Sequence, residues 1–361
     1  MKRVMSSAYM QWAKTRSGSR YNLAASGLAS YPLSGLPVTL EDLDPLARAG
    51  SYGYPPLQQT LAEHYGVTPA NVVTAAGTSM ANMLAMAAIL DPGDEVLVEQ
   101  PAYELLLAAL GYLQAEIRRF PRRVETGFAL DAAEIDRAVT PRTRLIVITN
   151  LHNPSSNFTG QETLRAVGEI ARRVGARVLV DEVYLDAAFP LAPRPSLHLG
   201  PEFVVTSSLT KVYGLSGLRC GWILAEPDLA RRIWRLDDLF DVNMAHPAER
   251  LSVIAIRNLE RVRERARVLL ETNRTILNQF LAGRTDLEVR PLEFGTTVFP
   301  LLRSGAVEAF CELFRKKYEG TVVPGSFFEM PDHFRIGIGG ETETLRESLV
   351  QLGAALDEFK R

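Results

Sequence analysis

The stretch Phe203-Val204-Val205-Thr206-Ser207-Ser208-Leu209-Thr210-Lys211, with Gly214, Gly217 and Arg219 close behind, sets the reading of this chain. Its first four residues are apolar or β-branched and predict a strand over 203–206. A lysine follows directly, with hydroxyls on one side and a fixed cation eight residues on. A lysine so placed can form a Schiff base with an aldehyde. Ser208 and Arg219 suit a phosphate.

Outward from this stretch, short apolar runs alternate with helical patterns. Strands are predicted over 71–74, 95–99, 144–149, 177–180, 203–206 and 221–225, with helices over 79–90, 102–110 and 161–174. The runs are apolar nearly throughout, as expected when both faces of a sheet are covered. The fold class is therefore α/β, with a mostly parallel sheet flanked by helices. Past Glu226 a charged, helix-rich stretch reaches roughly Leu281. Strands over 287–290, 297–301 and 334–338, with helices over 306–318 and 343–360, then predict a smaller α+β domain. The expected division is a large domain over 41–240 and a small one built from 1–40 and 241–361.

The polar residues of interest follow the predicted strands. Gly77-Thr78-Ser79 follows the first, Tyr103 the second and Asn153 the third; Asp181 ends the fourth, and Ser208 and Lys211 follow the fifth. Ligands of open α/β sheets bind beyond the carboxyl ends of the strands, so one crevice collects all of them. Lys211 is the sole lysine between Lys14 and Lys316. An aldehyde and a phosphate on one cofactor means pyridoxal 5'-phosphate (PLP), and the other parts that PLP needs are available. Asp181, at the end of an apolar strand, must find a partner or suffer desolvation; a pyridinium N–H is one partner, and a helix N-cap the alternative. Tyr184 and Asn153 can reach a phenolate oxygen, against a half-buried aromatic and a loop asparagine holding its own backbone. Gly77-Thr78-Ser79 opens a helix and suits an anion. Tyr103 can stack on a ring or simply pack in the core. Arg335 can fork onto a carboxylate or form an ion pair at a domain surface.

Composition narrows the function classes. The 361 residues carry a net charge of −2, which gives no global reason to expect nucleic acid as a partner. Arg118-Arg119 through Arg122-Arg123 read as solvated helix or loop faces. Two cysteines, Cys220 and Cys311, make neither a disulfide framework nor a metal-ligand spacing, so no metal is expected. No apolar run is long enough to span a membrane and no signal peptide is evident, so the expected setting is cytoplasmic.

Taken together, Asn153-Pro154, Asp181-Glu182-x-Tyr184, Ser208-x-x-Lys211 with Arg219, and the late Arg335 resemble the class I/II aminotransferase family of fold-type I PLP enzymes, in the family's order and over nearly the whole chain. The resemblance implies a PLP-dependent transferase-like fold. It implies that Lys211 carries the cofactor aldehyde and moves protons, and that Asp181 pairs with the ring nitrogen. Asn153 and Tyr184 would contact the phenolate oxygen, Gly77, Thr78, Ser208 and Arg219 the phosphate, and Tyr103 the ring face. Arg335 would bind the substrate carboxylate, with Gly27 and Asn153 near the substrate. It also implies a homodimer in which Tyr52 reaches the neighbouring phosphate. The sequence departs from the family at Ser155-Ser156-Asn157-Phe158, which intervenes before Thr159-Gly160, and at Leu57, where a glycine is common.

An amino acid and a 2-oxo acid are the expected substrates of such an aminotransferase. A lyase, cyclase or oxidase on the same scaffold is the alternative. A PLP-binding regulator would need a DNA-binding domain, and the large-domain signals begin by about Tyr52.

Overall fold

A computed structural model describes residues 3–43 and 51–360. Its centre is a seven-stranded sheet. In chain order the strands are β1 (Val72–Ala76), β2 (Glu95–Gln100), β3 (Glu116–Pro121), β4 (Thr143–Thr149), β5 (Arg177–Asp181), β6 (Phe203–Ser208) and β7 (Cys220–Leu224). Their spatial order is β1-β7-β6-β5-β4-β2-β3. β2 to β6 run parallel, and β7 lies antiparallel to both its neighbours.

Alternation along the strands explains the layering. Val96 and Val98 of β2 pack with Leu84 and Leu106, from helices Thr78–Ile89 and Glu104–Tyr112. Leu97 between them packs on the opposite face, in a cluster with Ile146, Ile148, Leu164 and Val167. Both faces are thus dry, and the near-continuous apolar strands follow from that.

The expected strand over 297–301 is split into Thr297–Val298 and Leu301–Leu302. In the central sheet the predicted strands agree with the observed ones to within two residues, but β3 was not anticipated. It is an edge strand, and its Arg118 and Arg119 are charges of the kind that protect such edges. Arg122, read in sequence as part of a solvated face, is buried: its guanidinium pairs with buried Glu99 at 2.8 Å. Helix Ala8–Arg16 was also not anticipated.

The later part of the chain carries a small antiparallel sheet, Thr297–Val298 beside Phe334–Gly337 beside Val323–Pro324. Helices Val307–Lys317 and Thr342–Phe359 pack with it. The strip from Leu23 to Tyr31 runs between this sheet and the turn that carries Lys211. Gly337 N donates to Leu23 O, and Ala29 N to Gly339 O; on the other side Leu28 N donates to Lys211 O, and Tyr31 N to Gly214 O. A Cβ at Gly337 would stand 1.8 Å from the Ala25 carbonyl oxygen, so the close approach requires glycine there. No helix among the described residues is long and apolar enough to cross a membrane.

Candidate active site

The carboxyl ends of the parallel strands open into a cavity of about 420 Å³. Gly27, Thr78, Ser79, Tyr103, Asn153, Asp181, Tyr184, Lys211 and Arg219 all line it. Most arrive from the segments that follow the strands, as the open-sheet geometry requires, with Thr78 and Ser79 sharing one helix start. Arg219 precedes β7, and β7 is antiparallel, so its amino end lies at the same edge of the sheet as the carboxyl ends of its neighbours.

One end of the cavity carries donors of the kind that suit an anion. Helix Thr78–Ile89 begins at Gly77 with no side-chain cap, leaving first-turn amides open. Thr78 Oγ1 donates to Ser208 Oγ at 2.8 Å, and Arg219 Nη2 donates to the Ala76 carbonyl at 3.1 Å. Gly77 has φ +85°, and a Cβ there would stand 2.3 Å from Arg219 Nη2. The backbone must therefore bend where the arginine crosses it, and glycine meets both demands.

In the middle lie the ionisable groups. Asp181 is 5 % exposed; it accepts from Asn82 Nδ2 at 2.8 Å and from the Val183 amide at 3.1 Å. Burial raises its carboxyl to about 6 despite those bonds. Asn82 is itself held by Thr206 Oγ1 at 2.6 Å, and sequence reasoning missed it. Burial pushes the Lys211 amine below the usual lysine range. Lys211 Nζ donates to Ser26 Oγ at 3.0 Å, and Tyr184 OH donates to the same oxygen at 2.8 Å. Ser26 was likewise not anticipated.

Behind Asn153 and Tyr9, which line the cavity, lies Arg335, fully buried and not itself among the lining residues. Among the described residues its bonds go to neutral oxygens: Asn153 Oδ1 at 2.9 Å, Tyr9 OH at 3.0 Å and the Ala24 carbonyl at 3.1 Å. Its Nε has no partner among them. The buried position differs from the domain-surface ion pair weighed in sequence, and a buried guanidinium with no carboxylate partner among the described residues is suited to an anion. Its support runs deep: Glu99, paired with Arg122, accepts from both the amide and the hydroxyl of Thr149, and Thr149 Oγ1 accepts from the Asn153 amide at 3.0 Å. The unusual loop after Asn153 is pinned to the small sheet, with Ser156 Oγ donating to the Thr297 carbonyl at 2.8 Å.

Tyr9 was also missed. Burial pushes its phenol up, but the charges of Arg335 and Lys211 outweigh that and leave it below the usual tyrosine range. Tyr103 lies edge-on to Tyr9 with ring centroids 5.4 Å apart. Met10, Trp12 and Ala13 complete this outer wall. Tyr52 is not among the cavity residues. It is 54 % exposed, beside Trp234, with its hydroxyl donating to Asp238 at 3.2 Å.

These parts fit PLP: an uncapped helix start with hydroxyls and an arginine, a buried carboxylate, a half-buried amine, and a buried cation behind them. Known proteins agree. The chain is 29% identical over 354 residues to capreomycidine synthase of Streptomyces vinaceus, covering 94% of this chain and 90% of that one. The solved structure of a PLP-dependent aminotransferase from Streptococcus suis 89-1591 superposes with a TM-score of 0.93 at 25% identity, over all of both chains. A PLP-dependent cyclase, OrfR, superposes at 0.89 with 24% identity over 99% of each, a likeness of fold. The family model for class I and II aminotransferases matches residues 40–352, and the chain belongs to that PLP-dependent family.

Proposed function

We propose that this protein moves an amino group between an L-amino acid and a 2-oxo acid, with Lys211 as the amine that holds the cofactor aldehyde and carries the proton at the substrate Cα. The observation that carries the reading is the half-buried amine of Lys211 in one cavity with buried Asp181, and the buried guanidinium of Arg335 behind the cavity's Asn153. Bound here, PLP supplies the electron sink for the bonds at Cα. Asp181 keeps the ring nitrogen protonated. Asn153 and Tyr184 face the phenolate oxygen, and Tyr103 packs on the ring. Gly77, Thr78, Ser208 and Arg219 hold the phosphate. Arg335, with Asn153 fixing its guanidinium, binds the substrate carboxylate, and Gly27 closes the side next to Lys211. The exposure of Tyr52 supports a homodimer in which that side chain serves the neighbouring site. Mixing a Tyr52→Phe chain with a Lys211→Ala chain tests this, since half the sites of the mixed dimer would regain both residues.

A cyclase is the second reading, favoured by the similarity to capreomycidine synthase. One experiment separates the two. The PLP-loaded protein is given single L-amino acids with no oxo acid. Transamination releases one 2-oxo acid per active site and stops. Continuous turnover, with a cyclised product, would replace the aminotransferase reading by the cyclase one.

A further inference from the structure

We infer that Ser26 is a positioning residue, whose hydroxyl oxygen fixes the resting place of the uncombined Lys211 amine and ties it to the phenol of Tyr184. The inference rests on the reading of Lys211 given above and adds a residue to it.

The geometry is specific. Ser26 is 6 % exposed and lines the cavity. Its oxygen accepts from Lys211 Nζ at 3.0 Å and from Tyr184 OH at 2.8 Å, across sequence separations of 185 and 158 residues. A hydroxyl has two acceptor lone pairs and one proton to donate. Both lone pairs are therefore filled by groups of the site.

The backbone around Ser26 is held on both sides. Thr296 Oγ1 donates to the Ser26 carbonyl at 2.8 Å, and Leu28 N donates to the Lys211 carbonyl at 2.8 Å. A Cβ on neighbouring Gly27 would stand 3.5 Å from Lys211 Cδ, so the lysine stem lies along this backbone. The oxygen is thus presented by a clamped segment, and the four-carbon lysine stem, flexible by itself, gains a fixed end point. An amine that must act on one face of the substrate Cα needs such a stop, because proton transfer depends on hydrogen-bond reach and alignment.

An acceptor for the ammonium form favours that form. Tyr9 and Asp181 also favour the ammonium, while Arg335 and Arg219 oppose it; with these unchanged, removing the Ser26 acceptor lowers the pH at which Lys211 loses its proton. One hydrogen bond to a charged donor corresponds to about one pH unit.

The test uses the full-length chain freed of PLP, so that activity is not the readout. Acetylation of Lys211 by acetic anhydride is followed across pH by peptide mass spectrometry. In Ser26→Ala the midpoint should fall by about one pH unit, and Ser26→Thr, which keeps the hydroxyl, should restore it. Ser26→Gly, which also lacks the hydroxyl and adds no bulk, should behave like alanine and guards against a folding defect. An unchanged midpoint in Ser26→Ala and Ser26→Gly overturns the inference. Adding PLP to wild type should block acetylation of Lys211. Failure of that protection would count against the parent reading alone, because the midpoint comparison never involves PLP.

Discussion

Asp181 offers a measurement whose size follows from the structure. It is buried, and without a ring N–H beside it the carboxyl sits at about 6 against an ordinary 3.8. The sign follows by linkage. A carboxyl raised in the folded state holds its proton there while the unfolded chain has lost it. It therefore destabilises the fold as pH climbs past the unfolded value, and the cost is complete above the folded one. A gap of two units is worth about 3 kcal/mol, roughly half of it developing between pH 5 and pH 8. Asp181→Asn removes this titration. Urea unfolding of PLP-free wild type and variant at several pH values gives the stability difference between them. Any pH-independent loss, such as a disturbed bond to Asn82, cancels in the comparison across pH. The difference should move in favour of the variant by about 1–2 kcal/mol from pH 5 to pH 8. A difference flat with pH would refute the claim that Asp181 is buried without its charge partner. Adding PLP should reverse the ranking at pH 8, because wild type alone has a carboxylate for the ring nitrogen.

Three further outcomes are expected. Arg335→Gln removes a charged fork worth about 3 kcal/mol to a carboxylate, so kcat/KM for an amino acid should fall about 100-fold, while an amine lacking the α-carboxylate should be used equally by both proteins. Gly77→Ala puts a Cβ onto Arg219 at a positive φ; PLP affinity, read by titration of the cofactor's visible absorbance, should drop by about tenfold or more. Arg122→Met strands buried Glu99, whose carboxyl burial already raises, and should cost about 3–5 kcal/mol in urea unfolding, whether or not substrate is present.

The central strands were legible because both of their faces are covered, which leaves unbroken runs such as Leu145 to Ile148. The placement of Asp181, Asn153 and Lys211 in one cavity was legible for the same reason: a parallel sheet brings its carboxyl ends to one edge. β3 was not, because an edge strand carries charges that read as a solvated surface. Helix Ala8–Arg16 was not either: it has nine residues, and Arg16 falls among Tyr9, Met10, Trp12 and Ala13 on their shared face and breaks the apolar stripe. Ser26 and Asn82 escaped for another reason. They belong to no local pattern, and their partners lie 99 to 185 residues away.

The outer wall of the cavity has a consequence for how such a scaffold diversifies. The groups proposed to hold PLP are scattered over the ends of many strands, so altering them means altering the sheet. Tyr9, Met10, Trp12 and Ala13 come from one uninterrupted segment. That helix is docked at its start by the Ser7 and Ala8 bonds to Glu104, and by Tyr9 on Arg335. A lineage, or a protein engineer, can rewrite Met10, Trp12 and Ala13 as a cassette and change what the cavity admits while Tyr9 keeps its bond to Arg335.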